Sequence, residues 1–198
     1  MSMSKPANIL FDLVGSYFAA LYTNPIRTKA FTSCTITLLG NYVSQKIQKS
    51  RSFDQDVFIA FGLYGLIFGG TIPHFFFNFL EKSVPGDSRI GALKQFLIER
   101  LIYAPLYQAF SLYALARFEG KTHEDAVSNM SKLYLPVLKA NWYYLSLFQY
   151  INFRMVPPML KVLYVNLIGF FWSIFLSYKK SRAMDKKKDA KKAVGKRL

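Results

Sequence analysis

The chain alternates long apolar stretches with short charged ones. The run from Val57 to Leu80 holds no Asp, Glu, Lys or Arg and is closed by Asp56 and Glu81. It exceeds the roughly 20 residues a helix needs to cross a hydrocarbon core of about 30 Å. A helix is the natural form there because it satisfies every backbone N–H and C=O within the segment. Gly65 and Gly69 form a G-x-x-x-G pair that lets helices approach closely in lipid, and Pro73 predicts a kink. A second uncharged run, 162–178, lies between Lys161 and Lys179.

Three further stretches predict helices. In 28–48, Ser33, Thr37, Asn41, Ser44 and Gln48 recur on one helical face, while Phe31, Ile36, Leu38, Leu39 and Val43 occupy the other. Residues 92–118 are uncharged over 101–116, with Glu99, Arg100 and Pro105 near the start. Residues 132–153 are apolar and aromatic but include Lys139, Asn141, Gln149 and Asn152, so they cross, tilt or lie in the interface before Pro157-Pro158 breaks them. Ahead of these, Ile9, Leu13, Tyr17 and Ala20 give 6–24 the spacing of a short amphipathic helix ending at Asn24-Pro25. Connectors are expected at 49–56, 81–91 and 119–131.

The fold class expected is all-α: an integral membrane helical bundle with four spans plus one or two amphipathic or interfacial helices. The chain divides into an N-terminal amphipathic segment (1–27), the bundle (28–178) and a basic tail (179–198) expected to be disordered.

Charge refines this picture. The net charge is +15, and residues 179–198 hold ten Lys or Arg against Asp185 and Asp189. Following directly on an apolar helix, this tail reads as a juxtamembrane segment that orients the chain and touches anionic headgroups or an acidic import factor. A plain solvated end is the other reading, and no nucleic-acid role is expected. Four spans place both termini on one side, which the tail makes cytosolic; five spans separate them. Cys34 is the single cysteine, so no intramolecular disulfide forms. Neither a cleavable signal peptide nor a transit peptide is expected at the start.

The polar residues carry the functional question. Polar groups in lipid turn toward the bundle interior or a watery path. Three helices carry such stripes: Ser33/Thr37/Asn41/Ser44/Gln48, Asn141/Gln149/Asn152 and Asn166/Ser173/Ser177, with His74, Asn78 and Gln108 beside them. A hydrated route for solutes and hydrogen-bonded glue between helices are both consistent with them. Glu99 and Arg100 read as a structural ion pair, with partners such as Lys139 or Arg154 and acids elsewhere, or as gating charges. His74 is either a neutral hydrogen-bonding residue or a proton-sensitive gate. Nucleophile elbows, zinc-protease helices and phosphate loops are all missing, and two histidines exclude a multi-histidine metal centre. No enzyme activity, cofactor or metal is expected.

The C-terminal half carries a recognisable signature: Asn141-Trp142, Gln149, Asn152-Phe153, Val156-Pro157, Asn166 and Trp172. Asn24-Pro25, Thr28-Lys29, Gly40, Gln45, His74-Phe75, Glu99-Arg100, Pro105 and Glu119-Gly120 extend it toward the N-terminus. The pattern resembles the peroxisomal membrane protein 2 / Mpv-seventeen family. There are departures. Leu145 and Leu147 stand where the family usually has Trp and Pro, Gly70-Thr71 replaces a Gly-Pro, and Lys161 replaces a common Arg.

The resemblance implies a small multi-span helical protein of a peroxisomal, mitochondrial or vacuolar membrane, linked to pores for small solutes. The function expected is therefore a channel for small water-soluble metabolites in the peroxisomal membrane. The equivalent channel of the mitochondrial inner membrane and a non-conducting scaffold using the Gly65–Gly69 face are the alternatives. Pore-lining candidates are Ser33, Thr37, Asn41, Ser44, His74, Asn141, Gln149, Asn152 and Asn166. Expected partners are the bilayer, small polar metabolites and peroxisomal membrane-protein import factors; a homo-oligomer is an open alternative.

Overall fold

The computed structural model describes residues 5–48, 53–86, 88–175 and 177–178, so the 179–198 tail lies outside the described residues. Helices account for almost all of these residues, and none of them is in a strand. We label the helices α1 (Lys5–Thr23), α2 (Pro25–Ile47), α3 (Gln55–Ser83), α4 (89–118), α5 (His123–Met155) and α6 (Pro158–Phe175). Among them α3 and α6 are long and apolar enough to cross a membrane, matching the two uncharged runs.

Local chemistry sets the boundaries. Pro25 opens α2 at a position where its missing N–H costs nothing. The Asp54 side chain caps α3 by accepting from the Val57 N–H at 3.1 Å. Gln45 of α2 clamps the same residue, accepting from the Asp54 N–H at 2.7 Å and donating to its C=O at 3.0 Å. Ser88 and Thr122 cap α4 and α5 in the same way. Gly120, at φ 80, makes the tight α4–α5 turn in the left-handed region that glycine tolerates.

Two expected connectors are shorter than the sequence indicates. Residues 81–91 contribute helix at both ends, and 119–131 is mostly the start of α5. Glu124 and Asp125 sit in the first turn of α5, where the helix dipole favours acids, so this polar stretch is a good helix start. The helix then runs past Pro136 to Met155.

Each of α3 and α4 contains one π turn, Gly65–Gly69 and Glu99–Tyr103. Each precedes a proline, Pro73 and Pro105. A proline in a helix removes one N–H and its ring clashes with the carbonyl four residues earlier. Those carbonyls belong to Gly69 and Leu101, inside the π turns, which absorb the mismatch without breaking the helices.

Helices α2 to α6 form a ring. Consecutive helices pack together from α2 through α5, and the short links make neighbours antiparallel. α6 closes the circuit. Its Asn166 donates to the Ser33 hydroxyl of α2 at 2.5 Å, and its Trp172 ring lies 5.1 Å from Tyr144 of α5. α1 stays outside, tied to α2 by Tyr17–Thr32 hydroxyls at 3.3 Å and by Thr28 donating to the Ala20 carbonyl at 2.9 Å.

The outer surface is apolar: Phe31, Phe79, Leu101, Leu106, Leu147 and Phe171 are all exposed. The inner positions hold Asn41, Gln95, Glu99, Arg100, Gln149 and Asn152, all buried. A lipid solvent explains this inversion, since so much exposed apolar surface is not stable in water. Phe77, Leu80, Phe153 and Val162 form the apolar core, at the end of the ring that holds the α3–α4 and α5–α6 links.

Candidate functional site

A cavity of about 780 Å³ occupies the middle of the ring. It reaches from Gln48 and Asp54, beside the α2–α3 link, down to Phe77, Gln149 and Val165. All five helices of the ring contribute to its wall. α2 offers Thr37, Asn41 and Ser44; α5 offers Asn141 and Gln149; α6 offers Asn166, Ser173 and Ser177. These belong to the three polar stripes of the sequence, turned inward because the lipid-facing positions are taken by Leu and Phe.

Most of the wall is apolar, from residues such as Ile36, Phe61, Leu145, Phe148 and Ile168, and amides, hydroxyls and one ion pair are set into it. Asn41 Oδ1 accepts from Gln45 Nε2 at 2.7 Å. Thr37 donates to the Ser33 carbonyl of its own helix and to the Phe61 carbonyl of α3, at 2.8 and 3.0 Å. Glu99 and Arg100 pair with each other, Nε to Oε2 at 2.5 Å and Nη2 to Oε1 at 2.7 Å, and both line the cavity. The third Arg100 nitrogen, Nη1, donates to Asn141 Oδ1 at 2.8 Å, and Trp142 Nε1 donates to the Arg100 carbonyl at 3.1 Å. The charges on the wall are thus Asp54 near the link and a neutralised pair deep inside.

Several sequence expectations change here. Lys139 and Arg154 are exposed and take no part in the ion pair, whose members sit side by side on a π turn instead. Ser33, His74 and Asn152 lie off the cavity wall. Ser33 is fully buried at the α2–α6 seam. His74 is buried between α2 and α3, its Nδ1 hydrogen-bonded to Lys29 Nζ at 2.9 Å. Asn152 sits one turn beyond Gln149, fully buried, with neither amide atom hydrogen-bonded among the described residues.

The glycine pair also changes. A Cβ on Gly65 would come within 2.9 Å of the Cys34 Cα and of the Ser33 carbonyl oxygen, and one on Gly70 within 2.5 Å of the Lys29 carbonyl. A Cβ on Gly69 would meet its nearest atom only at 3.4 Å. The π turn lengthens the repeat, so Gly65 and Gly70 seat α2 on α3, and Gly69 faces the cavity.

Sequence patterning missed the aromatic part of the wall. Tyr64, Tyr103 and Tyr107 line the cavity, with Tyr103 and Tyr107 stacked at 5.1 Å and the Tyr64 hydroxyl 2.5 Å from Ser111 Oγ. A tyrosine reads as apolar in a membrane helix, and only its hydroxyl belongs with the stripes.

Comparison with known proteins places this architecture. The model of the Mpv17 / PMP22 family matches residues 116–177, the part that holds α5 and α6. PXMP2/4 family protein 3 of Dictyostelium discoideum is 33% identical over 89% of this chain and 96% of its own length. Protein SYM1 of Eremothecium gossypii is 30% identical over 84% and 95%. Peroxisomal membrane protein 2 of Bos taurus is 29% identical over 83% and 87%. No solved structure matches the chain. With the polar stripes, the family signature residues and this extent of identity in agreement, the chain belongs to the Mpv17 / PMP22 family of membrane proteins.

Proposed function

We propose that this protein is a channel for small water-soluble solutes in the peroxisomal membrane. One observation carries the reading: a cavity of about 780 Å³ inside a ring whose outside is apolar, with amides, hydroxyls and an ion pair set into its largely apolar wall. A bundle of four helices is normally filled with side chains. Five helices around one axis leave room for a solute, and the donors and acceptors set into the wall replace part of its hydration. Asp54 near the link and the self-compensated Glu99–Arg100 pair leave little net charge to repel either sign. No catalysis is assigned to the chain.

The count of crossings belongs to the same proposal. α2, α3, α4 and α6 were the spans expected. We count α5 as a fifth, because the ring holds it at the depth of α4 and α6 and because Leu135, Tyr143, Leu147 and Met155 face outward on it. α1 then lies in the interface, and the termini fall on opposite sides.

The peroxisome is favoured by the name of the bovine relative, and the mitochondrial inner membrane is the alternative that the family resemblance leaves. The scaffold reading loses its main feature, since α2 already covers Gly65. Swelling of liposomes containing the purified full chain, in iso-osmotic solutions of small polyols and carboxylic acids, tests the channel. Swelling faster than protein-free liposomes is expected, and equal rates with folded protein would refute it. Imaging a tagged chain beside peroxisomal and mitochondrial markers decides the organelle.

A further inference from the structure

The polar track does not stop where the cavity stops. On α5, Asn141 and Gln149 line the cavity, and Asn152 continues the same stripe one turn further. Beyond it, Glu81 of α3, Gln95 of α4 and Lys161 of α6 form a second polar cluster. Lys161 Nζ donates to Glu81 Oε2 at 2.7 Å, and Gln95 Nε2 donates to the same oxygen at 3.0 Å. Gln95 and Lys161 are buried, while the Glu81 side chain keeps 28% of its surface exposed, so this cluster reaches the far end of the ring.

Only the apolar core interrupts the track. Phe77 forms the floor of the cavity and meets Phe153 edge to face, with centroids 5.7 Å apart. Leu80 and Val162 are the other buried members of the layer, and Phe76, Phe96, Ile98 and Val165 pack against it. An apolar constriction between a cavity that carries polar groups and a polar cluster excludes water and therefore closes a pore by dewetting.

One residue holds this layer together. The Lys161 ammonium is 5.3 Å from the centroid of the Phe153 ring while it is bonded to Glu81. It thus ties α6 to α3 and α5, the helices that supply the rest of the layer. The buried Asn152 amide, unpaired among the described residues, opposes closure, because a dry unpaired polar group is costly and water would satisfy it. We propose that Phe77, Leu80, Phe153 and Val162 are the gate of the channel and that the Lys161–Glu81 pair is its latch. This rests on the channel reading above and adds its regulation.

Single-channel recording on the full chain in phosphatidylcholine bilayers tests the gate. Lys161→Met removes the latch yet leaves Glu81 partly solvated. It should raise the open fraction roughly tenfold at unchanged unitary conductance. Phe153→Ala should widen the constriction and raise unitary conductance. A second arm compares one protein with itself before and after bridging: Phe77→Cys with Phe153→Cys, on a Cys34→Ser background, bridged by a short bis-methanethiosulfonate cross-linker. Bridging should silence the channel, and reduction should restore it. A conducting wild type whose open fraction and conductance ignore the substitutions and the cross-link overturns the gate and leaves the channel standing. Silence of wild type and of Phe153→Ala alike, with folded protein, overturns both.

Discussion

Asn166 of α6 donates to the hydroxyl of Ser33 on α2 at 2.5 Å, so the last described helix is joined to the first helix of the ring. Without this seam α2 to α6 would be an open sheet of helices with a groove. With it, the five helices surround a common cavity. Asn166→Ala should lower stability in mild detergent by about 0.6 kcal/mol, with an upper bound near 1.7 kcal/mol, and Ser33→Ala should do the same. A double-mutant cycle on thermal unfolding checks it: the two losses should not add, and full additivity would mean that the bond does not hold the seam.

The glycines give a sharper test of the α2–α3 contact. Gly65→Ala and Gly70→Ala force a Cβ into backbone atoms of α2, so each should destabilise by about 1–3 kcal/mol, as overpacking does. Gly69→Ala should be much milder, and Gly15→Ala, with nothing nearby, should be neutral or stabilising. Equal sensitivity at Gly65 and Gly69 would contradict the π turn and restore a simple G-x-x-x-G face.

The Glu99–Arg100 pair lies deep in the wall, with both residues buried. Arg100→Met leaves the Glu99 carboxylate unpaired and should cost about 3–5 kcal/mol. Glu99→Gln combined with Arg100→Met should recover much of that loss, because no uncompensated charge remains. Chemical unfolding in lipid–detergent micelles reads the difference, and a double variant as unstable as the single one would show that the pair is needed for more than charge balance.

Much of this arrangement was legible in the sequence, because lipid imposes one rule on both faces of a helix. The stripe Thr37/Asn41/Ser44 and the stripe Asn166/Ser173/Ser177 could face only inward, and both line the cavity. The depth of each residue along the ring was not legible. Asn152 shares a stripe with Gln149 but falls beyond the floor, because Phe77 arrives there from a helix far away in sequence. The close contact of Gly70 depended on a π turn upstream of Pro73, which helical spacing alone does not reveal. The tyrosines were hidden by their apolar rings.

Five crossings make a topological prediction. Single cysteines placed at Lys5 and at Tyr178, on a Cys34→Ser background, should react with a membrane-impermeant thiol reagent from opposite sides of sealed vesicles. Reaction of both from one side would reject the fifth span and return α5 to the interface.

The central claim is that the cavity inside the ring is the route of solutes, and conductance reads it most directly. Purified full-length chain in planar bilayers should give discrete current steps, reduced when Asn41→Leu and Gln149→Leu narrow and dry the wall of a protein that still folds. Folded wild-type protein that leaves the bilayer as silent as lipid alone would contradict the account.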